Sequence, residues 1–257
     1  MILKSFFMIK NSNNKEYFLE NQRFYDRLFE DEDHYGVKEY WHGWAGNFHR
    51  HRIKILRNLF VNILKCRKEA QILDIGSNVS MFGELFKPDD CPKITALEIS
   101  ITVIEKAKKI SPHIKFIVGD AQAPELEGKW DILFAGEIIE HLSNPQEALS
   151  NWSNLLKQGG YLVISTPNRY FSRKTKEHIS LLTIKETKEM LCKLDIKVVK
   201  MIGIDLFVPF FDRLFNAIAK HIPKSSLICD IIFQAKMKST FKFPWLGRNI
   251  IYVARKS

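Results

Sequence analysis

No apolar run in this chain reaches the ~20 residues that crossing a bilayer requires, so any membrane contact is expected to be peripheral. Cysteine is scarce: Cys66, Cys91, Cys192 and Cys229 stand far apart, and no C-x-x-C occurs. This excludes a disulfide frame and a cysteine-based zinc site, and suits reduced thiols in a cytoplasmic protein. Internal repeats and long low-complexity tracts are also missing. The stretch 1–9 is apolar but short. It is flanked by Lys4 and Lys10 and runs into Asn-rich sequence without a small-residue cleavage site, so it is not read as a signal peptide.

What is present is ordinary for a globular protein. Hydrophobic residues make up 46% and charged residues 26% of the 257, which excludes disorder, collagen and coiled coil as the main state. The length suits one α/β domain with additions, or at most two small domains. Lys and Arg (39) outnumber Asp and Glu (29), a net +10. That surplus permits nucleic acid, an anionic membrane or an anionic substrate without choosing among them.

Between residues 48 and 68 the apolar positions Ile53, Leu56, Leu59, Phe60, Ile63 and Leu64 fall at helical spacing. Short apolar runs then alternate with helical stretches. The runs are 72–75, 94–97, 114–118, 130–135 and 161–165, and helices are expected near 81–87, 100–110, 145–157 and 183–194. This alternation predicts βαβ units around a buried parallel sheet. Gln158-Gly159-Gly160 is read as the glycine-rich close of a helix. A sixth strand fits 197–202 and a seventh 249–254. The intervening segment 204–248 is rich in Phe and Lys/Arg and too long for a structureless loop, so helices are expected near 209–221 and 225–237.

Three expected strand ends carry acidic residues. The first reads Ile72-Leu73-Asp74-Ile75-Gly76-Ser77-Asn78-Val79-Ser80, a strand entering a loop of small residues before a helix. The second ends at Glu98, whose carboxylate can accept both hydroxyls of a ribose. The third ends in Gly119-Asp120-Ala121, where Asp120 can accept from an adenine amino group. In open parallel sheets, ligands bind at the carboxyl ends of the strands where the strand order reverses. These acceptors therefore suit one adenosine ligand. Asp74, Glu98 and Asp120 also have a plainer reading as caps of helices or turns. A dinucleotide site is the structural competitor, but Asn78 and Met81 stand where its later glycines belong.

Together with Trp130 to Leu142 and Leu155 to Asn168, these segments resemble the class I S-adenosylmethionine-dependent methyltransferases. The branch resembled includes the ubiquinone-biosynthesis O-methyltransferases. The resemblance covers roughly 48–203 plus the last strand. It implies a Rossmann-like seven-stranded methyltransferase sheet (α/β), with 1–47 as an N-terminal helical lid, 48–203 as the core, 204–248 as a helical insertion and 249–257 as the last strand. It implies S-adenosyl-L-methionine as cofactor. Asp74 and Gly76 would lie by the methionine part, Glu98 by the ribose and Asp120 by the adenine. Ser77, Asn78, Ile99, Ala121 and Glu137 are carried over as further cofactor-binding positions. The family loop, however, reads Asp-x-Gly-x-Gly-x-Gly, and here Asn78 and Ser80 replace the later glycines. Asn tolerates the left-handed backbone better than most residues, and Ser is small. A working loop is expected.

The place after the fourth strand reads Ala135-Gly136-Glu137-Ile138, without the Asn/Asp-Pro-Pro-aromatic run of base-amino methylation and without a cysteine nucleophile. A hydroxyl, carboxyl or small-molecule nitrogen remains as the acceptor class. His141 is the candidate general base, because an imidazole suits proton removal at neutral pH. Its alternative role is to order the loop. Glu137, Glu140 and His141 form E-x-x-E-H, which with His178 is a minority reading as a divalent-metal site. No metal is the preferred reading. The aromatic and basic stretch 35–52, with Tyr40, Trp41, His42, Trp44, Arg50 and Arg52, is a candidate acceptor surface or a lid packed on the core. The insertion is a candidate cap, dimer surface or membrane-surface element. The reading is a methyltransferase acting on a small-molecule, saccharide or lipid-linked acceptor. It is cytoplasmic, with peripheral membrane contact through 204–248 as an option. RNA methylation and a non-catalytic cofactor-binding scaffold are the alternatives.

Overall fold

The structure is a computed structural model and describes residues 14–30, 43–65, 69–86, 92–172, 178–206 and 243–257. Among them one seven-stranded sheet forms, in the order β3-β2-β1-β4-β5-β7-β6. Its strands are β1 (Gln71–Ile75), β2 (Lys93–Glu98), β3 (Lys115–Val118), β4 (Trp130–Gly136), β5 (Leu156–Pro167), β6 (Ile196–Leu206) and β7 (Gly247–Lys256). Strands β1 to β5 pair in parallel, and β7 runs antiparallel between β5 and β6. The chain lays β1, β2 and β3 in one direction and then places β4 on the other side of β1. The strand order therefore reverses between β1 and β4, where a ligand crevice is expected.

The helices are α1 (Asn14–Glu30), α2 (Gly43–Leu64), α3 (Phe82–Leu85), α4 (Ile101–Ile110), α5 (Pro145–Leu155) and α6 (Ile184–Cys192). Their starts are chemically marked. Ser100 caps α4, Asn144 caps α5 ahead of a proline in its first turn, and Thr183 with Glu186 forms a reciprocal capping box on α6. Alternate residues of the strands feed two cores. On one face Ile72, Ile132, Phe134 and Val163 pack with Leu56 and Phe60 of α2, Phe82 of α3 and Ile104 of α4. On the other, Leu73, Leu133, Leu162 and Tyr252 pack with Leu149 and Trp152 of α5 and Leu191 of α6. Burial on both faces explains why the strands read as continuous apolar runs.

Several expectations change in detail. Helix α5 ends at Leu155, and Gln158-Gly159-Gly160 lies within β5, where the pairing with β4 shifts register between Trp130 and Ile132. The glycines serve this bulge, with Gly159 at φ 69°, and do not close the helix. Residues 204–206 and 247–248, expected in the insertion, belong to the sheet, because the β6–β7 ladder runs on through Ile204↔Asn249 and Leu206↔Gly247. The helices expected near 209–221 and 225–237 lie outside the described residues, as do Tyr40, Trp41 and His42. Helix α2 runs across the expected boundary at 47/48. No helix among the described residues is long and apolar enough to cross a membrane.

Phe60 joins α2 to α3 and to the sheet through edge-to-face contacts with Phe82 and Phe134, at ring separations of 4.9 and 5.6 Å. It is fully buried. Phe60→Ala should cost about 3–5 kcal/mol of unfolding free energy in urea titration. A loss below about 1 kcal/mol would contradict this role.

Candidate functional site

At the tip of β1 the chain turns sharply. Gly76 has φ 65°, and a Cβ there would lie 2.5 Å from Ile138 Cγ1 in the segment after β4. Only glycine meets both demands. The amides of Gly76 and Ser77 donate to Leu97 O at 2.9 and 3.0 Å, tying the loop to β2. Ser77 is buried, and its hydroxyl donates to Asn78 O at 3.2 Å. Asn78 (φ 49°) and Ser80 (φ 55°) hold the left-handed conformation that glycine would provide. Local hydrogen bonds support both. Asn78 Oδ1 accepts from Val79 N at 2.7 Å, and Ser80 Oγ donates to Asp74 Oδ2 at 2.7 Å.

Glu98 is the centre of this corner. Its Oε2 accepts from Asn78 N at 2.8 Å, and its Oε1 accepts from Ile99 N at 2.9 Å and Ser100 N at 3.1 Å. A carboxylate offers about four acceptor positions. Among the described residues one therefore remains, on Oε2, open to a ribose hydroxyl. Ile99 sits beside it, its carbonyl taken by Gln22 Nε2 at 3.0 Å. On β3's side, Asp120 Oδ1 accepts from Gln122 N at 2.8 Å, and Oδ2 has no partner among the described residues. Ala121 is buried, its carbonyl accepting from Trp152 Nε1 at 2.7 Å. Gln122 Oε1 accepts from Ser143 Oγ and Asn144 N, each at 2.9 Å, so the loop is clamped to the start of α5.

Beyond β4, Glu137 also has a left-handed backbone (φ 55°). Its carboxylate accepts from Ser165 Oγ and, at 2.7 Å, from Asn249 Nδ2, and it pairs with Arg52 Nη1 at 3.4 Å. Glu137 thus faces β5, β7 and α2, and among the described residues it is not one of the converging groups of the minority metal reading. The Arg52 guanidinium, part of the candidate acceptor surface, is held in that ion pair. The group that does converge is Glu140, His141 and His178, whose ligand atoms lie within 4.8 Å of one another. His178 is drawn in because Ser180 N donates to Glu140 O at 2.9 Å, and its ring meets His141 edge to face at 5.1 Å. Glu140 is fully buried. Its Oε2 accepts from Thr166 Oγ1 at 3.0 Å, and Oε1 has no hydrogen-bond partner among the described residues. An orphaned carboxylate oxygen beside two imidazoles fits a divalent ion.

These acids share one electrostatic character. Burial pushes Asp74 up to about 8; the Ser80 hydroxyl opposes the rise and the Glu98 charge adds to it. Burial likewise raises Glu98 against its three backbone donors, and raises Asp120 against the Gln122 amide. Glu140 is raised well above the carboxylate range by burial and by the Glu137 charge.

Sequence reasoning had no means of finding the Arg52–Glu137–Asn249 arrangement, since Glu137 and Asn249 are 112 residues apart. The α1 residues Gln22 and Asp26, which reach the β2–α4 junction, carried no signal either.

The raised Asp74 has a measurable consequence. The folded state holds this proton up to about pH 8, whereas the unfolded chain releases it near the ordinary carboxylate value. The group therefore stabilises the fold fully at low pH, and that contribution is lost as pH rises through the window up to about 8. The loss is roughly 1.4 kcal/mol per pH unit, or about 3–6 °C in Tm. Asp74→Asn removes the titration, so its Tm should gain on the wild type steadily between pH 5 and pH 8. A constant difference would contradict the assignment.

The methyltransferase-domain family matches residues 48–201. The chain is 26% identical over 165 residues to the mitochondrial ubiquinone biosynthesis O-methyltransferase of Schizosaccharomyces pombe, covering 59% of this chain and 60% of that protein. It is 28% identical over 120 residues to malonyl-[acyl-carrier protein] O-methyltransferase 1 of Ilyobacter polytropus, covering 45% of each. These matches span no more than three-fifths of the relatives' length. Among solved structures, magnesium protoporphyrin IX methyltransferase from Synechocystis PCC 6803, with bound SAH, shares the fold. Its TM-score is 0.60 at 11% identity, over 93% of this chain and 99% of that one. By its strand order and its family match, the chain belongs to the methyltransferase-domain family of class I S-adenosylmethionine-dependent methyltransferases.

Proposed function

We propose that this protein transfers a methyl group from S-adenosylmethionine to an oxygen of a small, saccharide or lipid-linked acceptor. The observation that carries this reading is the row of acceptors at the tips of β1, β2 and β3. Asp74 stands behind the left-handed loop, Glu98 keeps one acceptor position open, and Asp120 keeps Oδ2 open. When bound, the cofactor supplies an electrophilic methyl group on a sulfonium. The chain's own tasks are to orient the nucleoside, exclude water and remove the acceptor's proton. His141 is half-buried at the end of the Ile139–His141 3₁₀ turn, at the same end of the sheet, and is the proposed base. With an ion bound instead, Glu140, His141 and His178 would hold it, His141 would be a ligand and no longer the base, and the ion would supply Lewis-acid stabilisation of an acceptor oxyanion; the EDTA arm below separates the two readings. Tyr170, Phe243 and Trp245 are exposed beside the ends of β5 and β7, a surface that suits an acceptor with a ring or an apolar tail.

The test is label transfer from methyl-labelled S-adenosylmethionine to panels of hydroxylated glycans, lipids and small phenols, with and without EDTA. Transfer to one class should fall about 10²–10⁴-fold in kcat in His141→Ala, while affinity for S-adenosylhomocysteine stays within about twofold of wild type. Transfer to RNA with a steep salt dependence would overturn the acceptor class. Binding without turnover of any acceptor would favour a scaffold.

A further inference from the structure

Helix α1 meets the cofactor edge through polar groups. Asp26 Oδ1 accepts from Ser100 Oγ at 2.6 Å and from Thr102 N at 3.1 Å, and Gln22 Nε2 donates to Ile99 O at 3.0 Å. Ser100 is itself the cap of α4, accepting from Val103 N at 3.2 Å. The junction 98–102 is therefore gripped from two sides. Glu98 takes the amides of Ile99 and Ser100 from within the sheet, and Asp26 takes the Ser100 hydroxyl and the Thr102 amide from α1. One helix N-terminus is capped by a side chain lying 76 residues away in sequence.

Among the described residues, the contacts of α1 with this junction are polar. Among its described side chains only Gln22 is buried; Leu19 is exposed, and Phe18, Phe24 and Tyr25 are half-buried. Neither core, among the described residues, contains an α1 side chain. Hydrogen bonds of small net worth open locally, so the grip of α1 on this junction is an equilibrium between docked and undocked. A ligand that prefers the docked state shifts that balance, and docking in turn favours the ligand by the same factor.

We propose that Asp26 is a positioning residue for the nucleoside. It latches α1 onto the β2–α4 junction and so fixes Glu98 and Ile99 in the arrangement that receives the ribose, coupling α1 docking to cofactor occupancy. The latch rests on the cofactor reading above and adds to it a residue outside the family-matched segment.

The test pairs calorimetric titration of the full chain with S-adenosylhomocysteine and limited trypsin cleavage. The cuts at the exposed Arg23 and Arg27 of α1 are followed by mass spectrometry. Saturating ligand should slow these cuts about fivefold or more in the wild type. Asp26→Ala should bind about five- to tenfold more weakly and lose the protection. Asp26→Asn keeps an oxygen acceptor at the same place and should restore both readouts to within about twofold. If Asp26→Ala does not fold, Gln22→Ala removes a different bond of the latch and carries the same expectation. Absence of wild-type binding overturns the cofactor reading and the latch together. Wild-type binding that is unchanged in the folded alanine variant, with α1 cleavage indifferent to ligand, overturns the latch alone.

Discussion

The carboxylate of Glu98 organises the ligand end of this sheet. It joins the β1 loop, through Asn78 N, to the start of α4, through Ile99 N and Ser100 N. A charge that accepts three backbone amides fixes three pieces of chain relative to one another, and it remains a hydrogen-bond acceptor at its one open position. The loop's left-handed turns, the cap of α4 and the seat of α1 all sit against that point. Truncating Glu98 would leave buried amides unsatisfied as well as remove a ligand contact.

The same corner concentrates buried carboxyl groups inside a basic protein. The chain carries a net +10, yet Asp74, Glu98 and Glu140 are buried near the carboxyl ends of the strands. Their raised proton affinities record how poorly this environment solvates anions. A cationic group placed near them would relieve that cost, and a sulfonium is such a group. The basic surplus is therefore a property of the rest of the surface and does not describe the ligand site.

Much of this was legible in the chain. Apolar runs marked β1 to β5, most plainly the inner strands that are buried on both faces, and β6 and β7 were placed near their observed spans. Asp74, Glu98 and Asp120 stood out because each ends or follows such a run. Asn78 and Ser80 read as departures from a glycine pattern, and the structure gives them glycine's backbone angles. What could not be read depends on distance in sequence. Glu137 was grouped with Glu140 and His141 on the assumption of a regular helical turn. Its left-handed backbone and its partners Arg52, Ser165 and Asn249 aim it elsewhere. Asp26 has no motif around it, and its role appears only when α1 and α4 are brought together. The reach of β6 and β7 was underestimated because Asp205, Gly247 and Arg248 do not look like strand residues, whereas the antiparallel ladder carries them along.

The central claim is that Glu98, with one acceptor position open on Oε2, is the ribose anchor of a nucleoside site framed by Asp74 and Asp120. A crystal structure of the complex with S-adenosylhomocysteine tests it most directly. The expected result is a ribose hydroxyl about 2.5–3.0 Å from Glu98 Oε2, the adenine amino group on Asp120 Oδ2, and Asn78 and Ser80 still left-handed. A ligand seated elsewhere, or one whose ribose makes no contact with Glu98, would contradict the account.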